Sequence, residues 1–181
     1  MIYKYKNGLY IGRFQPVHIG HASIIAKMLI ECEKVIVVVG SAQESDTIRN
    51  PFSFAERKIF IEQCFRHCLD RMVIIPVPDR EKVSNDAGWG DYVFYKIKEF
   101  CGLAPTVIYE GAEEERSNWY DHLKVEVVRV PRTIIPVSAT IVREGLHTND
   151  EEIITNYLPY GAREMAGFMR ERIKNINENK N

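Results

Sequence analysis

Ten residues near the start of the chain, Gly12-Arg-Phe-Gln-Pro-Val-His-Ile-Gly-His21, combine side chains and backbone suited to an anion. Arg13 supplies a permanent cation whose planar fork matches phosphate oxygens. His18 and His21 flank the start of an apolar helical pattern, where unpaired backbone N–H groups and the helix dipole favour negative charge. Gly12 lets the backbone turn sharply and approach a ligand, Pro16 stiffens the loop, and Gly20 permits close packing where the helix begins. A lone histidine at a helix start is most often a cap or a surface residue. Glycines, arginine, proline and two histidines ordered at one turn make a phosphate site without a Walker loop the stronger reading. A second group lies far along the chain, in Val137-Ser-Ala-Thr-Ile-Val-Arg143. Ser138 and Thr140 can cap a helix or donate to phosphate oxygens, with Arg143 about one turn further on. Taken alone, that serine and threonine read first as a cap.

Such residues need a scaffold. Gly8–Gly12 reads as a short first strand, and Ile24, Ile25, Met28, Leu29 and Cys32 space out a helix over Ile19–Cys32. Lys34–Gly40 is β-branched and apolar on both faces, as a central parallel strand buried under helices must be. Ser53-Phe-Ala-Glu56 has capping-box form and opens a helix to about His67. Met72–Val77, Thr106–Glu110 and Val125–Val130 read as further strands, and Asp91–Phe100 as an amphipathic helix. After Pro136 the chain reads as helical, with starts near Ser138, Thr148 or Asn149, and Pro159, and a frayed tail over Asn175–Asn181. Alternation of strand and helix predicts an α/β fold: a doubly wound parallel sheet of about five strands, with helices on both faces and a helical C-terminal part. Residues 1–181 are expected to form a single domain, with its core over about 8–145 and a helical segment over about 146–174. Ligands in such folds bind beyond the carboxyl ends of the strands where the order reverses, so the loops after Ile11, Val39, Val77 and Tyr109 matter most.

The 181 residues carry a net charge of −1, which gives no global footprint for nucleic acid or an anionic membrane. No apolar run approaches the ~18 residues of a membrane span, and the N-terminus lacks a secretory pattern. The cysteines, Cys32, Cys64, Cys68 and Cys101, do not form zinc knuckles. Cys64 and Cys68, four apart on the expected helix with His67 between them, can be a metal pair but read first as core. Reduced thiols and no signal point to the cytoplasm.

His18-Ile-Gly-His21 matches the H-x-G-H signature of the nucleotidyltransferases, and the fuller Gly12–His21 stretch resembles their nicotinamide-nucleotide adenylyltransferase branch. Val137–Arg143 is similar to the family's I-S-x-T-x-x-R motif, with valine in first place. Gly40-Ser-Ala-Gln-Glu-Ser-Asp-Thr-Ile-Arg-Asn-Pro-Phe52, Ala55-Glu-Arg57 and Ile75-Pro-Val-Pro-Asp79, followed by Asn85 and Trp89, resemble the archaeal-type members. Cytidylyltransferases usually read G-T-F-D where this chain has Gly12-Arg-Phe-Gln15. Glu113–Trp119 departs from the archaeal pattern, and its charges read as a solvated surface. The likeness covers roughly Leu9 to Arg143.

The resemblance implies a Rossmann-like sheet and transfer of AMP from ATP to nicotinamide mononucleotide (NMN), giving NAD and pyrophosphate. The acceptor phosphate attacks the α-phosphorus directly, so no general base is needed, and positioning and charge stabilisation carry the rate. His21 would bond the α-phosphate; His18, Arg13 and Arg143 would hold the β- and γ-phosphates. Gly12, Phe14, Gly20, Gly111, Ser138 and Thr140 would complete the ATP site, with Gly111 beside adenine. Gly40, Ser41, Asn85 and Trp89 would bind the acceptor, Asn85 through the carboxamide and Trp89 by stacking, although Trp89 also reads as a core or interface residue. Magnesium would ride on the ATP phosphates, with no dedicated protein metal site. A homo-oligomer is implied, and neither nucleic acid nor a membrane as partner. Nicotinic acid mononucleotide, phosphopantetheine and FMN remain alternative acceptors, and a non-catalytic nucleotide-binding regulatory module the alternative of another class.

Overall fold

The computed structural model describes residues 2–80, 87–112, 119–131 and 137–178. Five strands form one all-parallel sheet: β1 (Tyr5–Gly12), β2 (Cys32–Gly40), β3 (Met72–Val77), β4 (Val107–Gly111) and β5 (Glu126–Val130). Their spatial order is β3-β2-β1-β4-β5. The chain runs outward from β1 to β3, then crosses back to β4, so the order reverses between β1 and β4. There, Tyr10 lies opposite Tyr109, and Gly12 and Gly111 end their strands. The crevice of a doubly wound sheet therefore opens beyond these two glycines.

Both faces are covered. One face packs α1 (Ile19–Glu31), α2 (Phe54–Cys64) and the C-terminal helices α4 (Ala139–Thr148), α5 (Glu151–Tyr157), α6 (Tyr160–Arg163) and α7 (Ala166–Glu178) around Tyr10, Val35, Val37, Val39 and Tyr109. The other packs α3 (Ala87–Cys101) through Val93 and Ile97 against Leu9, Ile36, Val38, Ile75 and Ile108. Alternate residues of β1 and β2 thus feed opposite cores, which is why β2 reads as a continuous apolar run.

Several boundaries differ from the sequence pattern, each for a local reason. β1 begins at Tyr5, because Tyr5 to Asn7 pair with β2 from Cys32, and Asn7 adds a side-chain bond to the Ala104 carbonyl at 2.8 Å. α2 stops at Cys64, so Cys64 and Cys68 do not share a helix. Burial pushes the Cys64 thiol up to about 12, away from the thiolate a metal requires. α3 starts at Ala87 and so includes Trp89. α5 is capped by Asp150, whose Oδ1 accepts from the amides of Glu152 and Ile153 at 3.0 Å, while Asn149 closes α4 at φ +58°. α7 continues to Glu178, since Ile173 and Ile176 bury its last turns.

The C-terminal helices are tightly seated. A Cβ on Gly161 would lie 2.2 Å from the Gln63 carbonyl oxygen, backbone against backbone. Gly161→Ala is therefore expected to cost about 2–3 kcal/mol, read as a lower urea midpoint with unchanged slope.

Candidate active site

The loop after β1 is built by packing before any ligand is considered. Gln15 is buried, and its side-chain amide pairs with Phe52 in both directions, donating to the carbonyl at 2.8 Å and accepting from the N–H at 3.0 Å. Phe14 sits at φ +52° with its ring in the core. That ring lies edge-on to Tyr10 at 5.8 Å and against His21 at 4.6 Å. Phe14 thus supports the second histidine from beneath.

His18 is the N-cap of α1, and His21 its third residue. Each imidazole caps the other's backbone: His18 Nδ1 accepts from the His21 N–H at 3.4 Å, and His21 Nδ1 from the His18 N–H at 3.3 Å. The rings stack at 3.7 Å. Because Nδ1 is the acceptor in both, each neutral ring carries its proton on Nε2. Two N–H donors are so fixed at a helix N-terminus by a capping box made of histidines. A Cβ on Gly20 would stand 3.1 Å from the His18 ring and 3.2 Å from Val137 Cγ1, so the bare glycine lets the two sequence motifs touch.

The second motif closes the other side. Ser138 caps α4 by accepting the Ile141 N–H at 3.3 Å. Arg143 donates to the Gln15 carbonyl at 2.7 Å and to Thr140 Oγ1 at 3.1 Å, which aims its guanidinium across the first loop. Burial first, then the charge of nearby Arg49, holds Arg143 below its ordinary range, and Glu144 opposes this. Arg143 remains a cation at neutral pH. Arg49 and the exposed Arg13 bring further positive charge to these loops.

Beneath both loops lies Arg57, fully buried. Its guanidinium donates to the carbonyls of Arg13 and Gly40 at 3.0 Å, Ser41 at 3.1 Å, Ala42 and Glu44 at 3.4 Å, and Ser53 at 3.3 Å. Desolvation lowers its pKa to about 10, with Asp79 and Glu56 opposing, so it stays charged. Above it Ser41 turns at φ +46° and donates its hydroxyl to Asp79 Oδ1 at 3.1 Å. Gln43 bonds the other Asp79 oxygen at 3.1 Å, which links the loops after β2 and β3.

The structure therefore brings His18, Gly20, His21, Ser138, Thr140 and Arg143 together, with Gly12, Gly40 and Gly111 ending three strands on the same edge. Trp89, half-buried on the first turn of α3, packs on the core beneath that helix and against Tyr92 at 5.6 Å. Gly111 is buried at the end of β4. Asn85 and most of Glu113–Trp119 lie outside the described residues; Trp119 itself packs on Tyr120 at 5.0 Å. Sequence reasoning assigned no role to Arg49, Arg57 or Asp79. Arg57 had a legible signal: with Phe60, Ile61 and Cys64 it completes the i, i+3, i+4, i+7 stripe of α2, which puts an arginine on a buried face.

Residues 9–145 match the cytidylyltransferase-like family. The chain is 31% identical to nicotinamide-nucleotide adenylyltransferase of Thermococcus kodakarensis, covering 96% of this chain and 90% of that protein. It is 37% identical to the Pyrococcus furiosus protein of the same name, over 93% and 88%. A solved structure, the bifunctional NMN adenylyltransferase/ADP ribose pyrophosphatase from Francisella tularensis complexed with AMP and a manganese ion, superposes with a TM-score of 0.77 at 26% identity. The match covers 97% of this chain and spans about half, 53%, of that one. Fold, site and likeness define a nucleotidyltransferase. The chain belongs to the cytidylyltransferase-like family and, within it, to the archaeal-type nicotinamide-nucleotide adenylyltransferases. Among the described residues no helix is long and apolar enough to cross a membrane.

Proposed function

We propose that the chain transfers the AMP group of ATP to the 5′-phosphate of NMN, forming NAD and releasing pyrophosphate. The observation that carries this reading is the paired-histidine cap of α1, with Arg143 bonded to the loop that leads into it, at the point where the strand order reverses. A phosphate dianion is a competent nucleophile at pH 7, so the chain's task is to align it and to stabilise charge at the α-phosphorus. His21 donates from Nε2 to an α-phosphate oxygen. His18, Arg13, Arg49 and Arg143 hold the β- and γ-phosphates, and the Ser138 and Thr140 hydroxyls complete the cradle with the Phe14 backbone. Gly12 and Gly111 let backbone approach the nucleotide. Gly40, Ser41, Asn85 and Trp89 take the acceptor.

These donors are guanidinium, imidazole, hydroxyl and N–H groups, which suit phosphate oxygens. Among the described residues no group of three or more His, Cys, Asp or Glu could hold a metal ion. The set fits magnesium carried in on the triphosphate, where it would neutralise phosphate charge. Residues 1–181 act as one domain in this reading, in the cytoplasm, in keeping with four free thiols. Assembly as a homo-oligomer is part of the same reading.

Pyrophosphate release from ATP and magnesium is the test, with NMN and nicotinic acid mononucleotide supplied separately. Release with NMN and NAD as product is the expected result. Release with the acid alone would keep the chemistry and overturn the acceptor. Silence with both, and with phosphopantetheine and FMN, while ATP still binds, would make the chain a binding module. Trp89→Ala is expected to raise the KM for NMN about tenfold with little change in the KM for ATP, as loss of a stacking face should. Equal KM values would remove Trp89 from the acceptor site.

A further inference from the structure

Arg172 lies on α7, beyond the stretch that matches the family. Its side chain reaches back to the loops of the site. Nε donates to Glu56 Oε1 at 2.8 Å; Nη2 donates to Asp46 Oδ1 at 2.8 Å and to the Pro51 carbonyl at 3.3 Å. Glu56 is already committed to the capping box of α2, where Oε2 accepts from the Ser53 N–H at 2.7 Å. Asp46 and Pro51 bracket the turn that carries Arg49. Thr47 and Asn50 close that turn, with the Thr47 N–H on the Asn50 carbonyl at 3.2 Å and the Asn50 N–H on Thr47 Oγ1 at 2.9 Å.

Ile48 and Pro51 of the turn share one cleft with Thr140 and Arg143, and Ile173 and Ile176 of α7 form its floor. Arg49, exposed on the turn beside this cleft, lies near enough for its charge to act on Arg143, and like charges repel. Glu144, which lines the same cleft, offsets that repulsion at Arg143, and a tether on the turn fixes where Arg49 sits relative to it. Arg172 is one, and its bond to Glu56 is the sheltered end, with side-chain exposures of 27% and 18%, against 63% at Asp46.

We propose that Arg172 is a positioning residue for the triphosphate, clamping Asp46, Pro51 and Glu56 so that Arg49 and Arg143 face the same phosphate groups. The proposal rests on the ATP reading given above. Arg172 does not touch substrate; it sets where Arg49 sits.

The test is direct binding of magnesium–ATP by calorimetry, with KM for ATP and NMN measured beside it. Arg172→Ala should weaken ATP about tenfold and leave the KM for NMN within about twofold, because the acceptor is held elsewhere. In an Arg49→Ala background the same substitution should cost less than about twofold, since the cation it positions is gone. Arg172→Lys keeps the charge but not the fork, and should recover only part of the loss. Asp46→Asn gives a sign test that does not depend on Arg172 variants folding. Removing a carboxylate beside a triphosphate should, by charge alone, tighten binding. The clamp predicts about threefold weaker binding, because a neutral acceptor holds the guanidinium less firmly. Additive losses in the double variant, or an Asp46→Asn protein that binds ATP as tightly as the wild type or tighter, would overturn the clamp alone. A wild type that binds no ATP would overturn the function reading and the clamp with it.

Discussion

His21→Ala is expected to lower kcat about a hundred- to a thousandfold while the KM for ATP stays within about threefold. The asymmetry follows from where charge appears. In the ground state the α-phosphate oxygens share their charge with the rest of the triphosphate, and in the proposed complex Arg13, Arg49 and Arg143 attend the β- and γ-groups. During displacement, charge reorganises at the α-phosphorus, and a donor fixed there is worth more in the transition state than in the bound substrate. The packing of His21 suits that proposed role: its Nδ1 accepts the His18 N–H, and Phe14 packs against the ring at 4.6 Å. It cannot rotate to solvent without losing both. The alanine also removes half of the reciprocal cap, which costs about 1 kcal/mol of stability. His21→Asn separates the two effects, because an amide can still accept the His18 N–H but is shorter toward the substrate. Its melting point should return toward wild type and its kcat should not. A substitution at His21 that raised the KM for ATP and spared kcat would move the residue from the reacting phosphate to ground-state binding.

How much of this was legible beforehand depended on whether a residue's role was local. Met72–Val77 reads as a strand because its burial on two faces demands an apolar run. Ser53 and Glu56 declare their helix because a capping box is a contact over three residues. The H-x-G-H turn carried the phosphate reading because its chemistry, too, is contiguous. The start of β1 was missed since Tyr5, Lys6 and Asn7 look like a polar tail until Cys32 and Lys34 pair with them. Ser138 illustrates a different limit: a cap and a phosphate donor are the same hydroxyl, and the structure shows the cap while the donor role stays a proposal. Arg49, Arg57, Asp79 and Arg172 work through partners up to 126 residues away, at Asp46 in the case of Arg172, and no spacing rule points to such partners. Only the buried stripe on α2 hinted at one of them.

Arg57 is where that hidden layer should have its largest effect on stability. Arg57→Met is expected to cost about 3–5 kcal/mol and to abolish activity at temperatures where the wild type is stable. Methionine matches the arginine stem in length and apolar character, so the cost is not a cavity. It comes chiefly from the carbonyls of Arg13, Gly40, Ala42 and Glu44, which lose the guanidinium donor, whereas those of Ser41 and Ser53 keep backbone donors from Glu44 and Arg57. Each unsatisfied buried carbonyl costs about 1–3 kcal/mol, and the loops relax to recover part of the sum. Relaxation is what ends catalysis: the carbonyls belong to the loops that present Arg13, Gly40 and Ser41. Arg57→Lys keeps the charge but has three donors on one nitrogen, so it can serve only part of the ring of acceptors. It should fold with an intermediate loss of stability and a reduced kcat. Urea unfolding with activity measured on the same samples checks both. A methionine variant within about 1 kcal/mol of wild type would mean that water or a shifted backbone satisfies those carbonyls, and that the two loops are held by Gln15 and Asp79 instead.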